Sequence, residues 1–129
     1  MMQWPNHFPE NCPPPSALAP SGKFYRFIEQ NHTFPQPEDF SSWRVLNLDK
    51  KCPENITECQ ACGLSVYDSF EEIQRMQKVI PRLRRMKIAV GILNKHSGKI
   101  QNTPSRNSRL HYTWWVAVDE KPWQYFLIS

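Results

Sequence analysis

Glycine is scarce in this chain, with four in 129 residues. Phosphate-cradling loops of the P-loop and Rossmann types need several glycines within a few positions, so both are excluded. The G-x-S-x-G nucleophile elbow and the H-E-x-x-H helix are missing too, which removes the main supports for hydrolase and kinase readings. No run approaches the roughly 20 apolar residues that a membrane helix needs. Residues Met1–Pro20 contain neither a basic n-region nor an apolar h-region. These absences lead to the expectation of a cytoplasmic chain with no membrane partner. Cysteine is limited to four residues, which in that compartment read as reduced thiols.

Charge imbalance is small as well. Sixteen Lys and Arg against twelve Asp and Glu leave a net charge of +4 and a pI near 9.0. That is compatible with an anionic partner (RNA, DNA or a phosphorylated cofactor) and equally ordinary for a soluble domain. What the chain does have is aromatic residues: five Trp, seven Phe and four Tyr. Each buries a large area, so a core is expected despite an apolar fraction of only 40%.

The length suits one domain. Residues 1–22 hold six of the twelve prolines and read as an extended, proline-rich N-terminal arm, leaving 23–129 as a single α+β domain. Lys23–Ile28 and Gly63–Tyr67 have strand composition. Phe40 and Trp43 suit one helical turn, and Asn47–Glu58 reads as a loop. Ser69-Phe-Glu-Glu72 is a capping box ahead of the apolar stripe Ile73, Met76, Ile80, and Pro81 ends that helix. Lys87–Leu93 is apolar without alternation, which predicts a central strand buried on both faces. A hairpin at Asn94–Gly98, a strand at Leu110–Val118 and a closing strand at Gln124–Ile128 complete a small mixed, largely antiparallel sheet, whole or split, with one main helix.

Three constellations carry chemistry. Cys59-x-x-Cys62, with Cys52 upstream, invites zinc, but a closed site needs four ligands and the fourth has only scattered candidates. The preferred reading is therefore small, half-buried residues and no metal. The run Lys78–Lys87 has five positive charges without interleaved aromatics, which favours a solvated helix end over a nucleic-acid footprint. The densest chemistry lies in Ser105–Trp115. Arg106 and Arg109 suit phosphate, and His111 titrates near neutrality. Trp114 and Trp115 offer an apolar wall or belong to the core. On a strand His111, Thr113 and Trp115 share one face.

The order Phe24-Tyr25-Arg26, then Gly63-Leu-Ser65-Val-Tyr67-Asp-Ser69, then a capped helix and Ile88–Leu93 resembles the core of the ADP-ribosyltransferase fold over about 70 residues. The Tyr25-Arg26, Gly63–Val66 and His111-x-Thr-Trp-Trp115 blocks also resemble a set of small uncharacterised bacterial proteins, which implies no function. The transferase resemblance implies a cleft for NAD between two small sheets, and the small size of the chain suits a toxin-like protein. Arg26 would contact cofactor phosphate or ribose, and Ser65 would hold the nicotinamide side. A late glutamate would stabilise the oxocarbenium-like transition state, and Glu120 is the candidate. With His111 these form the expected catalytic set, and Tyr25, Tyr67, Arg106, Arg109, Thr113, Trp114 and Trp115 the expected cofactor contacts. The alternative is a non-enzymatic binding protein that presents the basic and aromatic surface to a protein or nucleic-acid partner.

Overall fold

The structure is a computed structural model that describes residues 2–129. In chain order the strands are β1 (Gly22–Ile28), β2 (Leu64–Tyr67), β3 (Lys87–Leu93), β4 (Gly98–Asn102), β5 (His111–Val116) and β6 (Leu127–Ile128). The helices are α1 (Trp43–Leu46), α2 (Glu58–Ala61) and α3 (Phe70–Val79). The six strands form one open sheet in the order β4-β5-β2-β1-β3-β6, and every registered neighbour is antiparallel. The fold is a small α+β unit.

Pairing across the sheet is uneven. β1 and β3 register along their whole lengths, from Gly22↔Leu93 to Ile28↔Lys87. β2 and β5 register from Leu64↔Trp114 to Tyr67↔His111. Between β1 and β2 the only registered pair is Tyr25↔Tyr67. Arg26–Ile28 and Leu64–Val66 therefore continue without pairing to each other. The sheet consists of two three-stranded halves joined at one pair and parted beside it.

Each face of the sheet has its own cover. Phe24, Ile28, Leu64, Val66, Ala89, Trp114 and Phe126 form one apolar cluster. Tyr67, Ile88, Ile73 and Met76 form a second, beneath α3. Helix α3 starts where Ser69 Oγ accepts from the Glu72 amide at 3.2 Å. Only that half of the anticipated capping box is made, because the Glu72 carboxylate turns to Arg75 and Ser108 instead. The expectation of a fully buried β3 holds at Ile88, Ala89 and Leu93, but Ile92 is 65% exposed. Its outer neighbour β6 is two residues long and leaves that end uncovered.

At Gly91 the missing side chain is structural. A Cβ there would stand 2.5 Å from the Phe126 ring, which packs directly on the strand backbone. Gly91→Val should therefore cost about 1–3 kcal/mol by displacing that ring. Urea denaturation checks this, and a variant as stable as the parent would show that Phe126 has room to move.

The cysteines depart from expectation. Cys12 and Cys59 are joined in a disulfide, while Cys62 and Cys52 are free. The reduced-thiol reading treated the four as equivalent, but the arm brings Cys12 back onto α2. Cys59 and Cys62 also sit on and just after a one-turn helix, capped by Thr57, that begins at Glu58, where the expected loop ends. The arm itself is packed: Cys12, Ala17 and Trp115 form a third cluster, with Trp4 and Phe8 against it. Leu18 exchanges two backbone hydrogen bonds with Ile100 and extends the β4 edge.

Candidate functional site

The gap between the half-sheets is occupied by Arg26. Its Nη1 donates to the Ser65 carbonyl at 2.7 Å and its Nε to the Asp39 carbonyl at 2.9 Å. The guanidinium lies 5.8 Å from the Phe40 ring centroid. Those two bonds use two of the five N–H donors of an arginine. Among the described residues the other three have no protein partner. Burial lowers the Arg26 pKa to about 10, opposed by the nearby Asp39 charge, so the side chain stays cationic at neutral pH.

Ser65 lies mid-strand on β2 at the gap, and its exposed hydroxyl stands 2.9 Å from His111 Nε2. His111 Nδ1 is 2.8 Å from the Thr103 carbonyl oxygen. A carbonyl only accepts, so Nδ1 carries the proton and Nε2 presents its lone pair to Ser65. Thr103 Oγ1 lies 3.0 Å from the same Nδ1 and 2.8 Å from Thr113 Oγ1, which fixes the loop to β5. Burial pushes the His111 pKa below its ordinary value. The Thr103 carbonyl opposes this, and the charge on Arg26 adds to it. The imidazole is accordingly neutral at physiological pH.

Two cavities of about 310 Å³ each meet at the Arg26–Ser65 bridge, since both are lined by Arg26, Ser41 and Ser65. One is walled by Trp43, Gln60, Gly63, His111 and Thr113. The other is walled by Glu38, Asp39, Tyr67, Arg82 and Leu83. Arg26, Ser65, Tyr67, His111 and Thr113, chosen from the sequence as site residues, thus line this cleft. Arg106 and Arg109 are exposed on the loop that leads from Thr103 to His111, and Ser105 of that loop reaches the cleft wall.

Other candidates lie elsewhere. Trp114 is fully buried, donates to the Ser97 carbonyl at 3.0 Å and stacks on Phe126. Trp115 shares the His111 face but lies under the N-terminal arm, donating to the Cys59 carbonyl. Both rings serve the core, because their strand runs through it. Tyr25 packs on Phe70 on the α3 side. Glu120 accepts from the Tyr125 hydroxyl at 3.0 Å and lines a separate depression of about 650 Å³ with Lys95, His96 and Asp119. That depression shares no residue with the Arg26 cleft.

The loop before β5 is anchored to α3. Ser108 Oγ donates to the Glu72 carboxylate, which also takes a two-pronged bond from Arg75 at 2.9 and 2.7 Å. Arg75 and then Ser108 hold the Glu72 pKa down at about 2, against an ordinary 4.5. A depressed carboxylate contributes stability that is present above its unfolded pKa and lost as pH falls through the folded one. Glu72→Gln should therefore be less stable than the parent at pH 7, with the gap closing between about pH 4.5 and 2. Parallel acid-unfolding curves for the two proteins test this; a gap that does not change with pH would remove the charge from the anchor.

Sequence reasoning missed Thr103, Asp39 and Glu72 as parts of the site. Thr103 contributes a backbone carbonyl, which no side-chain pattern reveals. Asp39 sits beside Phe40 in what reads as a plain turn. No family model, curated protein or solved structure matches this chain.

Proposed function

We propose that the split between the half-sheets is a binding cleft for a phosphorylated nucleotide, and that NAD, the ligand implied by the resemblance, is its occupant. The observation that carries this reading is Arg26: a cation wedged between β1 and β2, with three N–H donors uncommitted in a cleft with an aromatic wall. Partly desolvated arginine donors favour a phosphate or ribose oxygen over water. Ser65 and Thr113 add hydroxyls and Tyr67 adds a flat apolar face, the mixture usual in small-molecule sites. Glu120 stands in another depression, so the proposal covers nucleotide binding and assigns no glutamate-assisted transfer. The protein is read as an ADP-ribosyltransferase-like binder.

Thermal and denaturant melts with NAD and ADP-ribose provide the test. A ligand at one hundred times its Kd should stabilise the fold by about 2.7 kcal/mol. Arg26→Met keeps the aliphatic stem, and should weaken binding at least about tenfold by removing charge-assisted bonds. Neither ligand shifting the melt of the wild type at millimolar concentration would sink the reading.

A further inference from the structure

We propose that Ser65 and His111 form a nucleophile and general-base pair, which makes the cleft a site of covalent acyl transfer on esters that carry a negative charge. The Thr103 carbonyl commits the His111 proton to Nδ1 at 2.8 Å, so the hydrogen bond to Ser65 at 2.9 Å runs from the hydroxyl to Nε2. A hydroxyl bonded to a neutral imidazole, whose other nitrogen is held by a third group, is the arrangement that activates serine. Thr103 is itself fixed through Thr113, so the imidazole does not need to find its orientation when a substrate arrives. The Ser65 hydroxyl is exposed on the cleft, and Arg26, a cation with uncommitted N–H donors, lines the same space, which suits an anionic substrate and the charge that develops on its carbonyl oxygen.

The step balances within the cleft. Ser65 Oγ bonds to the ester carbonyl carbon as its proton passes to His111 Nε2. The carbon–oxygen bond to the leaving alkoxide then breaks, and the alkoxide departs with that proton. Water, deprotonated by the same nitrogen, releases the acid and restores the serine. Ser65 is the catalytic nucleophile, His111 the catalytic base, and Thr103 a positioning residue.

A fluorophosphonate reagent tests this directly, because the same attack forms Ser65 Oγ–P, expels fluoride and leaves the proton on His111. Intact mass and peptide mapping of the full chain should show one adduct, on Ser65, lost in Ser65→Ala. His111→Gln should label at least about 100-fold more slowly, the usual worth of a positioned base. Of the charged and titratable side chains, Arg26 on β1 acts on the imidazole through its charge, and the Tyr67 ring on β2 packs edge-on against it, 5.6 Å between ring centroids. Wild-type labelling should therefore be level above pH 7 and fall about tenfold per unit below the imidazole pKa. That profile serves also where His111→Gln misfolds. No adduct on folded wild type, labelling at other serines only, or a rate on Ser65 indifferent both to His111 and to pH would each overturn the proposal. NAD melts report separately: labelling without an NAD shift removes the nucleotide reading alone, and an NAD shift without labelling removes this one alone.

Discussion

Reduction of the Cys12–Cys59 disulfide should destabilise the protein by about 4 kcal/mol, the loop-entropy value for closing a loop of this length. The bond spans 47 positions of sequence, so it restricts a long stretch of the unfolded chain. The native side also depends on it. Cys12 holds the arm over Trp115, and Cys59 accepts the Trp115 indole N–H at 2.8 Å through its own carbonyl. Against a typical total stability of about 5–15 kcal/mol, such a loss is a large fraction. The effect should extend to the cleft, because α2 carries Cys59 on one side and turns Gln60 and Ala61 to the cavity wall on the other. Urea unfolding with and without dithiothreitol gives the measurement, with Cys12→Ser as the reagent-free control. Equal midpoints in both conditions would mean that the arm's apolar packing suffices without the covalent link. The free thiol Cys62 is a poor exchange partner, since burial and the neighbouring Glu58 raise its pKa to about 11.

How far the sequence discloses this molecule depends on the range of the interactions involved. Local signals were readable: the Ser69 cap opens α3, Pro81 closes it, and the aromatic or apolar runs become β1, β3 and β5. One-turn helices such as α2 are set by a single cap and leave no periodicity to detect. Of the site, Arg26, Ser65 and His111 were legible because each is a polar residue in an aromatic or apolar strand, where core packing alone gives it no reason to be. Their meeting across 39 and 46 positions of sequence was not legible, since it depends on the strand order and on where β1 and β2 part. The tryptophans misled for a related reason: alternation places Trp115 on the His111 face but does not say how far along that face the cleft extends. The disulfide was hidden because pairing distant cysteines requires the path of the arm, which proline-rich composition leaves open.

Asp39→Ala should cost about 3 kcal/mol, more than any other single polar deletion near the cleft, and should weaken ligand binding with it. The Asp39 side chain is almost wholly buried. Its two oxygens accept from the Glu29 amide at 3.1 Å, the Gln36 amide at 2.8 Å and His32 Nδ1 at 2.8 Å. Truncation leaves those donors without an acceptor, and each unsatisfied buried group costs about 1–3 kcal/mol. The segment Glu29–Asp39 loses the carboxylate that fastens its two ends together, while Lys87, which donates to the His32 carbonyl at 2.8 Å, still ties its middle to β3. The link to function is the backbone of the same residue. The Asp39 carbonyl fixes Arg26 Nε, and once the turn loosens, the guanidinium is held by Ser65 alone. Asp39→Asn keeps one acceptor oxygen and should lose less stability than Asp39→Ala. Its Arg26 contact is through the untouched main chain, so its ligand affinity should stay close to wild type. Urea unfolding paired with NAD titration of both variants separates the two roles. Asp39→Asn binding as weakly as Arg26→Met while remaining folded would show that the carboxylate, rather than the carbonyl, is what serves the site.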